Sequence, residues 1–570
     1  MLSRRHFVAA TAATAVVAGS SLGSIARAAA TQAITQKELL KFEPLGQITL
    51  LHFTDMHAQL MPIFFREPAV NIGVGEDTGT PPHLTGMNFL KHFAIAPDSP
   101  EAYAFSMDDY LALAKSYGRL GGLDRMATLI KTIRAERPKQ TLLLDGGDTW
   151  QGSYTSLKER GGDMVDVMNA LGVDAMTAHW EFTYGSARVK ELVKKLDFPF
   201  LCGNVVDNSF GDAVFESMTI FERSGLAIAV IGQAFPYTPI ANPSYMISEW
   251  SFGIREELVQ KEVDAARAKN VDLVVLLSHN GFDVDKKMAA RVKGIDVILS
   301  GHTHDAVPAP TMIGKTMLVA SGSHGKFLSR LDLDVKNKQI ASFRYRLIPI
   351  FSDAITPDPE MAKLVTGIRA PYQAELDTVL GHTNGLLYRR GNFNGTFDDL
   401  ICAALLEERD AQIALSPGFR WGTSLLPGEP IRFEDLLAQT AITYPAAYRN
   451  EMTGAALKAI LEDVADNLFN PDPYYQQGGD MVRVGGMSYA IDVSKPIGSR
   501  ISDMTLVSSG NPIEASKTYV VSGWASINKE TTGPAIYDVV RKYIVEKKVI
   551  DIADRSIVRV LGADKRGFVA

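Results

Sequence analysis

The sequence predicts a layered α/β domain followed by a second domain of mixed α+β structure. Three observations carry this. The chain has 570 residues, more than a single hydrophobic core organises, so two domains are expected. Between residues 46 and 302, apolar runs that end in polar residues alternate with amphipathic helical patterns, as in a sheet flanked by helices. Beyond residue 381 that rhythm gives way to helices mixed with short strands.

Residues 1–30 read as an export segment. Ser3-Arg4-Arg5-His6-Phe7 resembles a twin-arginine signal, and Ala26-Arg27-Ala28 offers a small-x-small cleavage site. The apolar run between them is short and diluted by Thr, Ser and Gly, and no other stretch is long enough to span a bilayer. The chain is therefore expected in the periplasm, exported folded, with no membrane partner. A first domain is expected over 31–355. Its buried strands are GQITLLHFTD (46–55), TLLLDGGD (141–148), the weaker GVDAMTA (172–178), DFPFLCGN (197–204), LAIAVIGQ (226–233), VDLVVLLSHN (271–280) and GIDVILSGH (294–302). Helical patterns such as 123–137 and 255–270 lie between them. Residues 61–117 break the rhythm, and so long a loop in a compact domain reads as a lid or wall over a site. A linker helix is expected over 356–380, and a second domain over 381–570.

Apolar residues make up 46 % of the chain and charged residues 22 %, with a net charge of −7 and no long basic run. Nucleic acid is thereby excluded as a general partner, because phosphate binding needs clustered Lys and Arg. Cys202 and Cys402 read as two buried free thiols.

Five short motifs occur in order: Asp55-Met56-His57, Gly147-Asp148, His179, His279-Asn280 and Gly301-His302-Thr303-His304-Asp305. Each follows a predicted strand, whose end fixes the backbone and aims the next side chains into a shared cleft. Asp-x-His and His-x-His place alternate side chains on one side of extended backbone. Asp55, His57, Asp148, His179, His279, His302 and His304 thus supply two carboxylates and five imidazoles. Such a set suits two divalent ions that share a carboxylate and acidify water. His52 lies on the opposite strand face from Asp55 and reads as structural.

This order of motifs resembles that of the calcineurin-like metallophosphoesterases, and the two-domain layout resembles their 5′-nucleotidase branch. The resemblance implies a four-layer α/β/β/α domain followed by a 5′-nucleotidase-like C-terminal α+β domain. It also implies one ion on Asp55, His57, Asp148 and His304, and a second on Asp148, His179, His279 and His302, with Asp148 bridging. Manganese is the favoured metal by resemblance, though the donors themselves suit Mn, Zn, Fe or Co. The family normally has Asn where this chain has His179.

Nucleotidases of the branch protonate their leaving alkoxide with a His–Asp dyad, but here those positions hold Trp180 and Thr183. An indole N–H is no acid near neutral pH. The turn HWEFTYG, together with RRGNFNGTFDDLIC (389–402), SPGFRWG (416–422), TYPAAYRNEMTG (443–454) and YYQQGGDMVRVGGMSYAID (474–492), resembles the thiosulfohydrolases of the periplasmic sulfur-oxidation system. That resemblance implies hydrolysis of an S-sulfo or S-thiosulfonate cysteine. The substrate would be a sulfur-carrier protein presenting its Cys on a flexible tail. A thiol has a pKa of about 8.5, so a thiolate or persulfide can leave without a proton donor.

A sulfonate calls for guanidinium groups. Arg420, Arg389 and Arg390 are the expected contacts, with Asn204 and Asn280 as further donors. Trp180 and Tyr475 are expected as aromatic walls, and Asp148, Arg420 and Asn280 as the groups nearest the chemistry. Phe419, Trp421, Tyr474 and Tyr475 could equally clamp a nucleoside base, which keeps a 5′-nucleotidase or cyclic phosphodiesterase as the alternative. A metal-stabilised docking subunit without turnover is a third reading.

Overall fold

The structure is a computed structural model that describes residues 34–552 and 557–568. The expected export signal, residues 1–30, lies outside the described residues. Eleven strands make the two main sheets of the first domain: β1 (Ile48–Phe53), β2 (Thr141–Asp145), β3 (Ala175–Met176), β4 (Met218–Arg223), β5 (Leu226–Gln233), β6 (Leu273–Ser278), β7 (Val297–Ser300), β8 (Thr311–Ile313), β9 (Thr316–Ala320), β10 (Phe327–Lys336) and β11 (Gln339–Pro349). They form two sheets, ordered β11-β10-β1-β2-β3 and β8-β9-β7-β6-β5-β4.

The period of two along each strand divides the side chains between two interfaces. Ile48 and Leu50 of β1 and Leu142 and Leu144 of β2 meet Ile228 and Val230 of β5 and Leu273 and Val275 of β6, all buried between the sheets. On the other face Leu51 and Leu143 pack on helix Leu123–Glu136 through Met126, Ile130 and Ile133. Ala229, Ile231, Val274 and Leu276 pack likewise on helix Glu256–Ala268 through Val259 and Val263. The layers therefore run α/β/β/α, and strands buried on both faces explain why the apolar runs are continuous rather than alternating. β1, β2 and β3 are parallel, as are β5, β6 and β7. Their C-terminal loops thus gather along one edge, where such sheets carry chemistry.

Three expectations need correction. Residues 197–204 form no regular strand, only single bridges at Phe200 and Leu201; Pro199 has no N–H to give a ladder. The strand expected over 172–178 shrinks to Ala175–Met176. Residues 61–117 are not a lid over the cleft described below. They hold three short helices, Gly86–His92, Pro100–Phe105 and Tyr110–Tyr117, which bury Phe89, Tyr103, Phe105 and Leu113 in the first core. The segment before them runs as a strap onto the second domain, with a bridge from Phe64 to Ser424 and a bond from Ile72 N–H to Asn392 Oδ1 (2.8 Å).

Helix Pro359–Arg369 packs on the first core through Met361 and Val365, and a turn at Ala370–Tyr372 redirects the chain. The second domain has a four-stranded sheet, Tyr448–Thr453, Thr518–Gly523, Ile413–Gly418 and Asp480–Gly485 in spatial order, two three-stranded sheets, and helices Thr396–Glu408, Phe433–Thr440, Gly454–Phe469 and Ile536–Lys547. Its core takes in Tyr154 and Trp180 of the first domain, so the two domains share packed surface. Cys202 and Cys402 are buried and free. Among the described residues no helix is long and apolar enough to cross a membrane.

Candidate metal centre

The loops after β1, β2, β3, β6 and β7 bring all seven expected ligands together. Two groups form, Asp55, His57, Asp148 and His304, and Asp148, His179, His279 and His302, with the ligand atoms of each within 4.8 Å of one another. Asp148 belongs to both. Its Oδ2 lies 3.1 Å from His179 Nδ1, 3.3 Å from His279 Nε2 and 3.7 Å from His57 Nε2. Asp55 Oδ1 lies 3.2 Å from His304 Nε2 and 3.6 Å from His279 Nε2. Asp55, His57, Asp148, His302 and His304 all adopt positive φ, between 49° and 78°, strain of a kind that collects at functional sites.

Two divalent ions fit these residues. His179 Nε2, His279 Nε2, His302 Nδ1 and His304 Nδ1 are buried without a hydrogen-bond partner, an expensive state for a polar atom unless something ligates it. His57 Nε2 and His304 Nε2 face each other at 3.0 Å. Burial holds His302 and His304 well below the ordinary imidazole range and takes His179 to about 4, so their lone pairs are available. Burial opposes the charge on Asp148, yet the imidazoles of His179 and His57 keep its carboxyl well below the usual range.

Backbone groups fix the rings. His57 Nδ1 donates to Gln151 O (3.2 Å), His279 Nδ1 to Gly146 O (2.6 Å) and His302 Nε2 to Gln477 O (2.9 Å), each bond choosing which nitrogen faces the cluster. Thr54 Oγ1 donates to Asp55 Oδ2 (2.7 Å). Gly301 is required here, because a Cβ would stand 2.4 Å from that hydroxyl and 2.9 Å from His279 Nδ1.

Two residues that sequence reading missed support the cluster. Glu181 is fully buried, and its carboxylate accepts the backbone N–H groups of Thr149 (2.6 Å), Trp150 (3.2 Å), Asp148 (3.3 Å) and His179 (2.6 Å). It ties the bridging-ligand loop to the His179 turn. Only its place inside HWEFTYG pointed to it. His324 packs 5.4 Å from the His57 ring and accepts from Gly422 N–H (3.2 Å). The segment TMLVASGSHG ends another buried strand, so the rule that found the other motifs applied to it too. His52 lies in the interior, with Nδ1 2.6 Å from Ser321 Oγ.

A cavity of about 210 Å³ opens on the cluster between the domains. His57, Asp148, His179, His302 and His304 form its floor, and Trp180, Phe419, Trp421 and Arg420 its walls. No residue of 61–117 lines it. Trp180 stands edge-on to Phe419 (5.4 Å, 90°) and Trp421 (4.9 Å, 82°), and Thr183 Oγ1 pairs with Thr443 Oγ1 of the second domain (2.6 Å). Trp180 and Thr183 thus both make interdomain contacts. Outside the ligands, the lining contains no carboxyl group and no imidazole. Tyr237 lines it too, and its hydroxyl donates to Tyr474 O.

Arg420 reaches the cavity, held by Thr303 O (3.2 Å), Gly479 O (2.5 Å) and Asp480 (3.5 Å). Five other expected contacts are not brought there. Arg389 is spent on Asp398 (3.0 Å), Gln439 O (2.7 Å) and Pro417 O (3.3 Å) inside the second domain. Asn204 clamps backbone, donating to Ala234 O and Gly253 O and accepting from Ala234 N–H. Asn280 gives its amide to Asp285 (3.1 Å). Tyr475 is 64 % exposed and outside the lining. Arg390 lies behind His304, beside Asp305, and borders a separate small space.

Comparison with known proteins agrees with this geometry. The sequence model of the family "5′-nucleotidase, C-terminal domain" matches residues 379–538. The 5′-nucleotidase of Bos taurus is 25 % identical over 498 residues, 76 % of this chain and 84 % of that one. Protein UshA of Yersinia enterocolitica is 26 % identical over 454 residues, 70 % of this chain and 80 % of that one. A 5′-nucleotidase precursor from Thermus thermophilus, at 22 % identity and a TM-score of 0.73 over 91 % of this chain and all of that one, shares the fold. The structure of the sulfate thiohydrolase SoxB from Thermus thermophilus superposes with a TM-score of 0.88 at 36 % identity, covering 92 % of this chain and 98 % of that one. With its dinuclear ligand set and this similarity over nearly all of the described chain, the protein belongs to the SoxB family within the 5′-nucleotidase branch of the metallophosphoesterases.

Proposed function

We propose that this chain is a sulfohydrolase that releases sulfate from a sulfonate carried on a cysteine sulfur of a partner protein. The observation that carries the reading is a full set of metal ligands beside a cavity whose lining, the ligands aside, has no carboxyl group and no imidazole to act as an acid. Water adds its oxygen to the sulfonate sulfur, and the bond from that sulfur to the carrier sulfur breaks. The electron pair leaves on the carrier sulfur, and sulfate forms as the two water protons pass to solvent. Two divalent ions bound at Asp55, His57, Asp148, His179, His279, His302 and His304 supply the Lewis acidity that makes water a nucleophile near neutral pH. Manganese is the metal we favour.

The chain's own residues do the remainder. Arg420, at the edge of the cavity, orients the sulfonate through its unspent N–H groups. Trp180, Phe419 and Trp421 exclude bulk water from the departing sulfur. A thiolate, with a conjugate-acid pKa of about 8.5, leaves without protonation, whereas a sugar alkoxide does not.

The nucleotidase alternative meets two obstacles. Phe419 and Trp421 are stacked on each other at 3.9 Å and 18°, while a base sandwiched between them needs roughly 7 Å, twice the contact distance. The cavity, about 210 Å³, is smaller than the ~300–1,000 Å³ of pockets that enclose a drug-sized ligand. A carrier protein offering its cysteine on a thin tail suits such a space, and export of the folded, metal-loaded chain by the twin-arginine signal would put both in the periplasm.

The test is mass spectrometry of a carrier bearing an S-sulfo or S-thiosulfonate adduct, before and after incubation with the manganese-loaded protein, with sulfate assayed in parallel. Stoichiometric loss of the sulfonate with sulfate release is expected. An intact adduct alongside rapid hydrolysis of a 5′-nucleotide would favour the alternative. An intact adduct with full metal occupancy and firm carrier binding would favour the docking subunit.

A further inference from the structure

Among the described residues, the second domain hydrogen-bonds to a ligand side chain through the loop of residues 470–479. His302 comes from the first domain, but its Nε2 proton is taken by the carbonyl of Gln477 at 2.9 Å. A ring nitrogen that faces a carbonyl must carry the proton. The tautomer is thereby fixed, and Nδ1, buried and without a partner, is the only ring atom left to ligate. The next residue seals the contact. Gly478 has φ +73°, and a Cβ on it would stand 2.4 Å from His302 Nε2, so no side chain fits between loop and ring.

The loop is in turn fastened to the first domain. Lys287 Nζ pairs with Asp472 (2.5 Å) and lies 4.1 Å above the Tyr474 ring, the Tyr474 hydroxyl donates to Glu256 (2.6 Å), and Tyr237 donates to Tyr474 O. These contacts tie the loop that aims His302 to the helices flanking β6.

We infer that the 470–479 loop is a working part of the metal centre: Gln477 and Gly478 are positioning residues that aim His302, so the site on Asp148, His179, His279 and His302 reaches full affinity only with the second domain docked. The inference rests on reading His302 as a ligand. In other ligand histidines the aiming carbonyl comes from the first domain itself, as Gln151 does for His57 and Gly146 for His279.

Two glycines provide the experiment. Gly478 and Gly479 both have positive φ, +73° and +78°, so Ala at either is strained, but a Cβ on Gly479 meets nothing nearer than Gly418 O at 3.7 Å. Wild type, Gly478→Ala and Gly479→Ala are loaded with Mn²⁺, desalted and counted by plasma mass spectrometry. Expected are two ions per chain in wild type and Gly479→Ala, and one in Gly478→Ala. Two ions in Gly478→Ala would overturn the inference, as would one ion in both variants, which would implicate backbone strain. Absence of ions from wild type would instead sink the dinuclear reading itself. If Gly478→Ala does not fold, by circular dichroism, the variant Lys287→Ala with Tyr474→Phe unfastens the loop without adding an atom. One of its ions should then be lost to a chelator at roughly 10–100-fold lower concentration, and extraction of both ions as in wild type would overturn the inference.

Discussion

The floor of the cleft and its wall hold their polar side chains in different ways. On the floor, seven ligands rise from strand ends of one domain, and four of the five imidazoles keep a buried nitrogen without a partner. Behind the wall, the Arg389 guanidinium of the second domain is consumed by protein, by Asp398 and the carbonyls of Gln439 and Pro417. Buried polar atoms without partners mark where something else binds, while fully paired ones hold the fold. Arg420, anchored yet lining the cavity, sits between the two cases.

Breaking the floor should have the largest effect. Asp148→Asn removes the shared carboxylate, so sulfate release is expected to fall to background and metal content to drop, both checked on one sample. Retention of both ions would show that another group bridges them. The wall separates two arginines. Arg420→Ala should lower sulfate release by about 10²–10³-fold, as removal of a transition-state anion donor does, with little change in melting temperature. Arg389→Ala should do the reverse, costing about 3–5 kcal/mol in a denaturant titration because it breaks a buried ion pair, while folded protein keeps most of its activity. Swapped outcomes would invert the assignment. Glu181→Gln turns an acceptor toward two of four amides into a donor, so metal affinity should weaken roughly 10–100-fold in a competition titration. Tyr475→Ala should leave the release of sulfate from a small S-sulfo thiol unchanged, since the ring lies outside the cavity.

The same contrast explains what the sequence disclosed. Asp55, His57, Asp148 and the four remaining histidines were legible because a strand end dictates where the next side chain points, and that is local information. Strands such as 141–145 and 273–278 were legible for the same reason, as apolar runs buried on both faces. Arg389 and Asn204 were misassigned because their partners, Asp398, Gln439 and Pro417 for the one and Ala234 and Gly253 for the other, are settled only by tertiary packing. Glu181 escaped because its task is to collect backbone amides, which leave no residue-type signature. Residues 61–117 lacked periodicity because their apolar side chains are shared among three short helices and a strap, none long enough to establish a repeat.

The central claim is hydrolysis at a dinuclear centre without a protein acid. It is tested most directly by the dependence of rate on leaving-group acidity. Manganese-loaded protein is offered a series of S-sulfo thiols and aryl phosphates of graded conjugate-acid pKa, ending with a 5′-nucleotide. The account predicts a steep fall in rate as the leaving group becomes more basic, with the nucleotide near background. A flat dependence, with the nucleotide turned over as fast as the activated esters, would mean that a residue of this chain delivers the proton and would contradict the account.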